Sequence, residues 1–221
     1  MAMTAIPQDN PALTGMTADD TALVYVDYVT GLDNLMNTLP GRVYRNNVAA
    51  FAKFSGLFGI PTGIMGEEND YYGTFLPEIR ALIDAGARTF QPRSSPTGYT
   101  PEFADWLAAT GKKTVLIGGI SLDNCTLHTS LDLLRNGYRV FVVVDASGTN
   151  SKVSEDVAVM RLIAAGAVPV GWLTALTELG RDFAGPHGKG MMQIIQAHWP
   201  ASTVGPTHDT TPDGHGMQLP L

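Results

Sequence analysis

Six short apolar runs, rich in branched side chains, constrain this chain more than any other feature. They are TALVYVD (21–27), IPTGIMG (60–66), RTFQP (88–92), TVLIGG (114–119), RVFVVVDA (139–146) and AVPVGW (167–172). Their near-continuous apolar character fits strands buried on both faces, as in a parallel sheet. Parallel neighbours need long crossovers, and helix-like segments fill the gaps at 41–58, 74–85, 101–110, 125–136 and 151–165. Glycines in NGY (136–138) and AGA (165–167) mark helix stops. The expected fold is α/β, a three-layer α/β/α sandwich around a parallel, roughly six-stranded, Rossmann-like sheet with right-handed crossovers.

The ends depart from this alternation. Residues 1–18, rich in Pro, Thr and Asp, are expected to form a surface arm, and residues 19–185 the α/β domain. One further helix is expected at 173–183. Beyond 186 come a C-terminal helix, MMQIIQAHW (191–199), and a tail without apolar periodicity, either flexible or laid on a neighbouring subunit. With 44% hydrophobic and 16% charged residues the chain can bury a full core. A net charge of −7 and the lack of any basic run speak against nucleic acid. The apolar runs are too short to span a membrane. The start has neither the basic segment nor the apolar stretch of a secretory signal. The single cysteine, Cys125, has no internal disulfide partner, which fits a reducing compartment. A cytoplasmic, soluble protein is expected.

In an open α/β sheet ligands bind beyond the carboxyl ends of the strands. Three reactive side chains fall there: Asp27 after the first strand, Arg93 after the third, and Cys125 after the fourth and the loop ISLDN. Each has a purely structural reading: Cys125 as a small buried residue, Asp27 as a helix cap, Arg93 as a surface charge. Their common edge favours chemistry. A cysteine opening a helix sits in the positive end of its dipole, and a nearby guanidinium lowers a thiol pKa further. A carboxylate can then move protons. His128, one turn beyond Cys125, offers an alternative Cys–His pair, whereas His187, His198, His208 and His215 form no metal-site spacing. Pocket walls are expected from Tyr28, Glu67, Tyr71, Tyr99 and Phe103, which follow the strands. Glu67, Glu68 and Asp70 could hold a hard cation by composition, but acids in a loop are more often solvated. Dinucleotide binding is disfavoured because VDYVTGL lacks a Gly-rich turn.

The blocks TALVYVDYVTGL, FQPR and VLIGGISLDNCTLHTSLDLLRNGYRVFVVVDASGT together resemble the isochorismatase-like cysteine hydrolases, and within them the YcaC-like subgroup, over roughly residues 20–185. The resemblance implies the three-layer fold already expected and a catalytic triad of Asp27, Arg93 and Cys125, with Arg93 where the family usually carries Lys. It also implies a cis peptide at Ile120–Ser121, which would turn the Ser121 N–H, with that of Cys125, toward an oxyanion. MGEENDYYG lacks the histidine of the metal motif found in nicotinamidases of this superfamily. No metal, no cofactor and no nicotinamide substrate are therefore expected. The implied activity is hydrolysis of a small-molecule, amide-like C–N bond through a thioester, in a homo-oligomer. The alternative is a non-catalytic small-molecule-binding or thiol redox-sensing protein on the same scaffold.

Overall fold

The structure, a computed structural model, describes residues 9–91 and 93–199. Six strands form one sheet: β1 (Thr21–Val26), β2 (Thr62–Met65), β3 (Arg88–Phe90), β4 (Thr114–Gly119), β5 (Arg139–Val143) and β6 (Val168–Val170). Their order is β3-β2-β1-β4-β5-β6, and every pair is parallel. Each expected run supplies one strand. Every residue of β1, β2 and β4 is buried, which explains why these runs do not alternate, whereas the edge strands β3 and β6 are partly open.

The helices are α1 (Pro11–Thr14), α2 (Thr30–Asp33), α3 (Gly41–Ala52), α4 (Phe54–Phe58), α5 (Pro77–Asp84), α6 (Pro101–Ala109), α7 (Cys125–Arg135), α8 (Lys152–Ala164), α9 (Trp172–Gly180) and α10 (Gly188–His198). Caps and prolines set several starts. The Thr100 hydroxyl accepts the Phe103 N–H with Pro101 in the first helical turn, and the Ser151 hydroxyl accepts the Ser154 N–H. The expected helix 41–58 breaks at Lys53 into α3 and α4. The expected 74–85 helix starts only at Pro77, because Thr74 and Leu76 pair with the backbone of Thr30 and Tyr28.

Two cores form, one on each face of the sheet. One is filled from α3, α4, α5, α9 and α10, the other from α6, α7 and α8. The stripe expected on α7 is buried at Leu127 and Leu131, with Leu134 packed beside them. Met16, within the expected surface arm, is buried in the first core, as are Met191, Ile194 and Ile195 of α10. The expectations for residues 1–8 and for the tail beyond 199 lie outside the described residues. Among the described residues no helix is long and apolar enough to cross a membrane.

The glycine pair ending β4 is a packing requirement. A Cβ on Gly119 would lie 2.2 Å from the Val26 carbonyl oxygen, and one on Gly118 would lie 2.7 Å from the Tyr28 hydroxyl. The end of β4 is thus packed against Val26 and Tyr28 with no room for side chains of its own. Gly119→Ala is expected to lower the urea-unfolding free energy by ~1–3 kcal/mol through overpacking. Gly56→Ala, with nothing within 4 Å of the added carbon, should raise it by up to about 1 kcal/mol through helix propensity. Equal effects of the two substitutions would contradict the packing argument.

Candidate active site

The sheet order reverses at β1, and the gap between the ends of β1 and β4 is the switch point where α/β sheets hold ligands. Asp27 is the first residue past β1. Its N–H donates to the Met65 carbonyl at 2.9 Å, and its backbone turns into the left-handed region with φ 53°. Asp tolerates this conformation better than most residues, and such positions cluster at functional sites. Arg93, past β3, reaches over β2 to grip the Asp27 carboxylate with both ends of its guanidinium. Nη1 donates to Oδ1 at 2.8 Å, and Nη2 donates to Oδ2. The two side chains are only 14% and 9% exposed, so this is a desolvated, bidentate ion pair.

Cys125 opens α7 at the same edge. The loop leading to it is held from behind by the turn after β5. The Ser147 hydroxyl accepts the Gly119 N–H and donates to the Val143 carbonyl, and the Gly148 carbonyl accepts the Leu122 N–H. The Ile120–Ser121 peptide bond is cis. Among the described residues neither the Ser121 nor the Cys125 N–H donates a hydrogen bond, which leaves two donors next to the thiol. Thr129, one turn into α7, donates to the Cys125 carbonyl and accepts the Gly98 N–H. This ties the helix to the loop that carries Arg93.

Asp27, Arg93 and Cys125 line one cleft of about 400 Å³. A second chamber of about 190 Å³, bounded by Ser121, Leu35 and Met36, shares Leu32, Asn124 and Cys125 with the first. The thiol therefore sits in the wall between two chambers, with the carboxylate on one side and the Ser121 backbone on the other.

Of the expected pocket walls, Glu67 and Tyr71 line the main cleft. The other three are corrected. Tyr28 is 1% exposed and its hydroxyl donates to the Ala146 carbonyl. Phe103 is fully buried. Tyr99 meets Phe103 of α6 edge-on and packs against the second core. Aromatic type alone could not separate packing from lining. The chain reading missed Leu32, Ser94, Ser95 and Asn124 in the walls. Asn124 adjoins the cysteine and Ser94 and Ser95 follow the arginine, so adjacency was the available signal. Leu32 lies on a four-residue helix, too short to leave a periodic trace. His128 makes no hydrogen bond with Cys125 among the described residues; the sulfur accepts from Asn124 Nδ2 at 3.8 Å. Glu68 does not converge with Glu67 and Asp70. It pairs with Arg80 and accepts the Phe75 N–H, and these bonds hold its carboxyl below the usual range. Among the described residues no three potential ligands gather to hold a metal.

The electrostatics reverse one expectation. Burial pushes the Cys125 thiol up, the Asp27 charge and hydrogen bond add to this, and Arg93 pulls the other way, leaving it at about 12. The guanidinium charge is already matched by Asp27, so it cannot hold the thiol as a thiolate. Burial also works against the Arg93 charge, but Asp27, with a contribution from Cys125, outweighs it and tightens the arginine's hold on its proton.

The Isochorismatase domain model matches residues 64–173. The chain is 30% identical over 183 residues to the probable hydrolase YcaC of Escherichia coli strain K12, covering 82% of this chain and 88% of that one. It is similar to the structure of YcaC from Pseudomonas aeruginosa with hexane-2,5-diol and covalent acrylamide. There the TM-score is 0.79 and the identity 32%, over 85% of this chain and 93% of that one. A structure of the Escherichia coli YcaC product, an octameric hydrolase of unknown specificity, gives a TM-score of 0.80 at 28% identity, over 85% and 92% of the two chains.

Alkylation of Cys125 by iodoacetamide, followed by intact mass, should be slow at neutral pH and rise through the alkaline range without a plateau below about pH 9. Asp27→Asn removes the like charge and frees Arg93 to act on sulfur, so its profile should move to lower pH. A profile unmoved or moved upward would contradict this account of the thiol.

Proposed function

The chain belongs to the isochorismatase family, in its YcaC-like subgroup, and from that premise we propose that it hydrolyses a small-molecule, amide-like C–N bond with Cys125 as nucleophile. Relatives of this family support a hydrolase. The finer reading rests chiefly on one observation: a buried carboxylate, forked by an arginine, shares a cleft with the Cys125 thiol, and the same cysteine borders a second chamber lined by Ser121, where the Ser121 and Cys125 N–H groups have no acceptor among the described residues.

The raised thiol supports one order of events. Cys125 is protonated at rest, so attack on the substrate carbonyl is coupled to transfer of its proton to Asp27. Sulfur forms a bond to the carbonyl carbon, and the electron pair moves to oxygen, where the Ser121 and Cys125 N–H groups receive it. Asp27 returns the proton to the amine nitrogen as the C–N bond breaks, leaving a thioester. Water then gives its proton to Asp27 and its oxygen to the acyl carbon, and the thiol leaves with that proton. Arg93 cannot exchange protons in this cycle, since a guanidinium stays charged. Its part is to fix both oxygens of Asp27 and to balance the charge. The chamber beside Asp27 suits the leaving amine.

The redox-sensing alternative calls for a thiolate at neutral pH, and a thiol pushed to about 12 weighs against it. Self-assembly is also proposed, supported by the octameric Escherichia coli relative.

A panel of small carboxamides assayed for released ammonia or amine tests the reaction. Turnover of at least one member should vanish in Cys125→Ala, and hydroxylamine should intercept an acyl adduct on Cys125. Arg93→Lys, which loses the two-point grip, should lower kcat by about 10- to 100-fold. Full turnover by Cys125→Ala would overturn the proposal.

A further inference from the structure

Among the described residues, nine large apolar side chains are exposed, and four of them lie on α8: Val153 at 75%, Val157 at 54%, Met160 at 61% and Ile163 at 55%. The helix is apolar on both sides. Its inner face buries Ala158 and Leu162 in the second core. Its outer face carries Val153, Val157, Met160 and Ala164, at steps of four, three and four. That is the a/d spacing of a helix that packs on another helix, and it falls entirely on the solvent side.

The charges beside this stripe say which helix. With Val157 and Ala164 at a and Val153 and Met160 at d, Asp156 falls at g and Arg161 at the following e. These two positions flank the stripe on opposite sides. When two copies of the helix lie parallel about a two-fold axis, g of one faces the next e of the other. Asp156 then meets Arg161 of the second copy twice, once on each side. An antiparallel pair would set Asp156 against Asp156 and Arg161 against Arg161. Within the subunit Asp156 pairs only with Lys152, and Arg161 has no ion pair among the described residues.

We propose that the outer face of α8 is a self-association surface and that its occupant is α8 of a second copy of this chain, parallel and related by a two-fold axis. The inference is independent of the chemistry proposed above, and it places the contact and sets its symmetry. A helix of 13 residues spans roughly 20 Å, so the seam specifies the contact without supplying all the area of a stable interface. Its apolar stripe is self-complementary, as a two-fold contact requires.

The test is the mass of the full-length protein by sedimentation velocity at matched concentrations, with circular dichroism melting to verify folding. Asp156→Arg and Arg161→Asp should each reduce the assembly mass by about half or more, because each places like charges in both pairs. An equimolar mixture of the two should regain the wild-type mass, since every pair is then Arg with Asp. Val157→Glu combined with Met160→Glu should reduce the mass irrespective of charge pairing. A monomeric wild type, as expected if the segment 200–221 covers the stripe, would overturn the proposal. So would charge variants that keep their mass, and so would a mixture that fails to regain it.

Discussion

The two-point grip of Arg93 on Asp27 is the interaction on which the site depends. It joins the end of β1 to the end of β3 across β2, and it does so with two charges largely removed from water. Such a pair is a poor source of net stability, because desolvation consumes much of the Coulomb gain. Removing one partner from a buried pair nevertheless typically costs about 3–5 kcal/mol, since the other is left uncompensated. Its value here is geometric. Asp27 itself takes a left-handed backbone conformation that directs its carboxylate, and the planar fork fixes both oxygens. A lysine would supply the charge but not the plane.

The same pair decides the state of the sulfur. A free guanidinium beside a helix-opening cysteine would favour a thiolate, and the chain order invited that reading. With the guanidinium committed to Asp27, burial and the carboxylate charge dominate and the thiol keeps its proton. In the proposed reaction the nucleophile and the base are thus poised against each other, and attack waits for a carbonyl that offers the electrons somewhere to go. The turn after β5 matters as much, although none of its side chains faces the main cleft. Ser147 and Gly148 pin the loop before Cys125, and Asp145 accepts the Trp172 N–H at the start of α9. Burial raises the carboxyl of Asp145 to about 6.

The sheet was legible because its strands are buried on both faces, and an uninterrupted apolar run as short as TVLIGG fits a doubly covered strand far better than a helix or a loop. The edge that carries the candidate cleft followed from topology, and the three residues that line it together, Asp27, Arg93 and Cys125, were legible as reactive types lying just beyond three strands. Pocket walls were not recoverable in this way. Tyr28, Tyr99 and Phe103 have the residue type of lining groups, yet their direction depends on pleat and on partners such as the Ala146 carbonyl, which lies 118 positions from Tyr28. The thiol's ionisation was hidden for a related reason. It depends on which neighbour holds the arginine, a three-body question that spacing along one chain does not pose.

The sheet order also sets the proposed assembly surface apart from the candidate site. Helix α8 packs beside β6, at one edge of the sheet, whereas Arg93 enters the cleft from β3 at the other. If α8 joins two subunits, the seam lies on the β6 side of the sheet, so a charge exchanged there alters the assembly while Asp27, Arg93 and Cys125 keep their places.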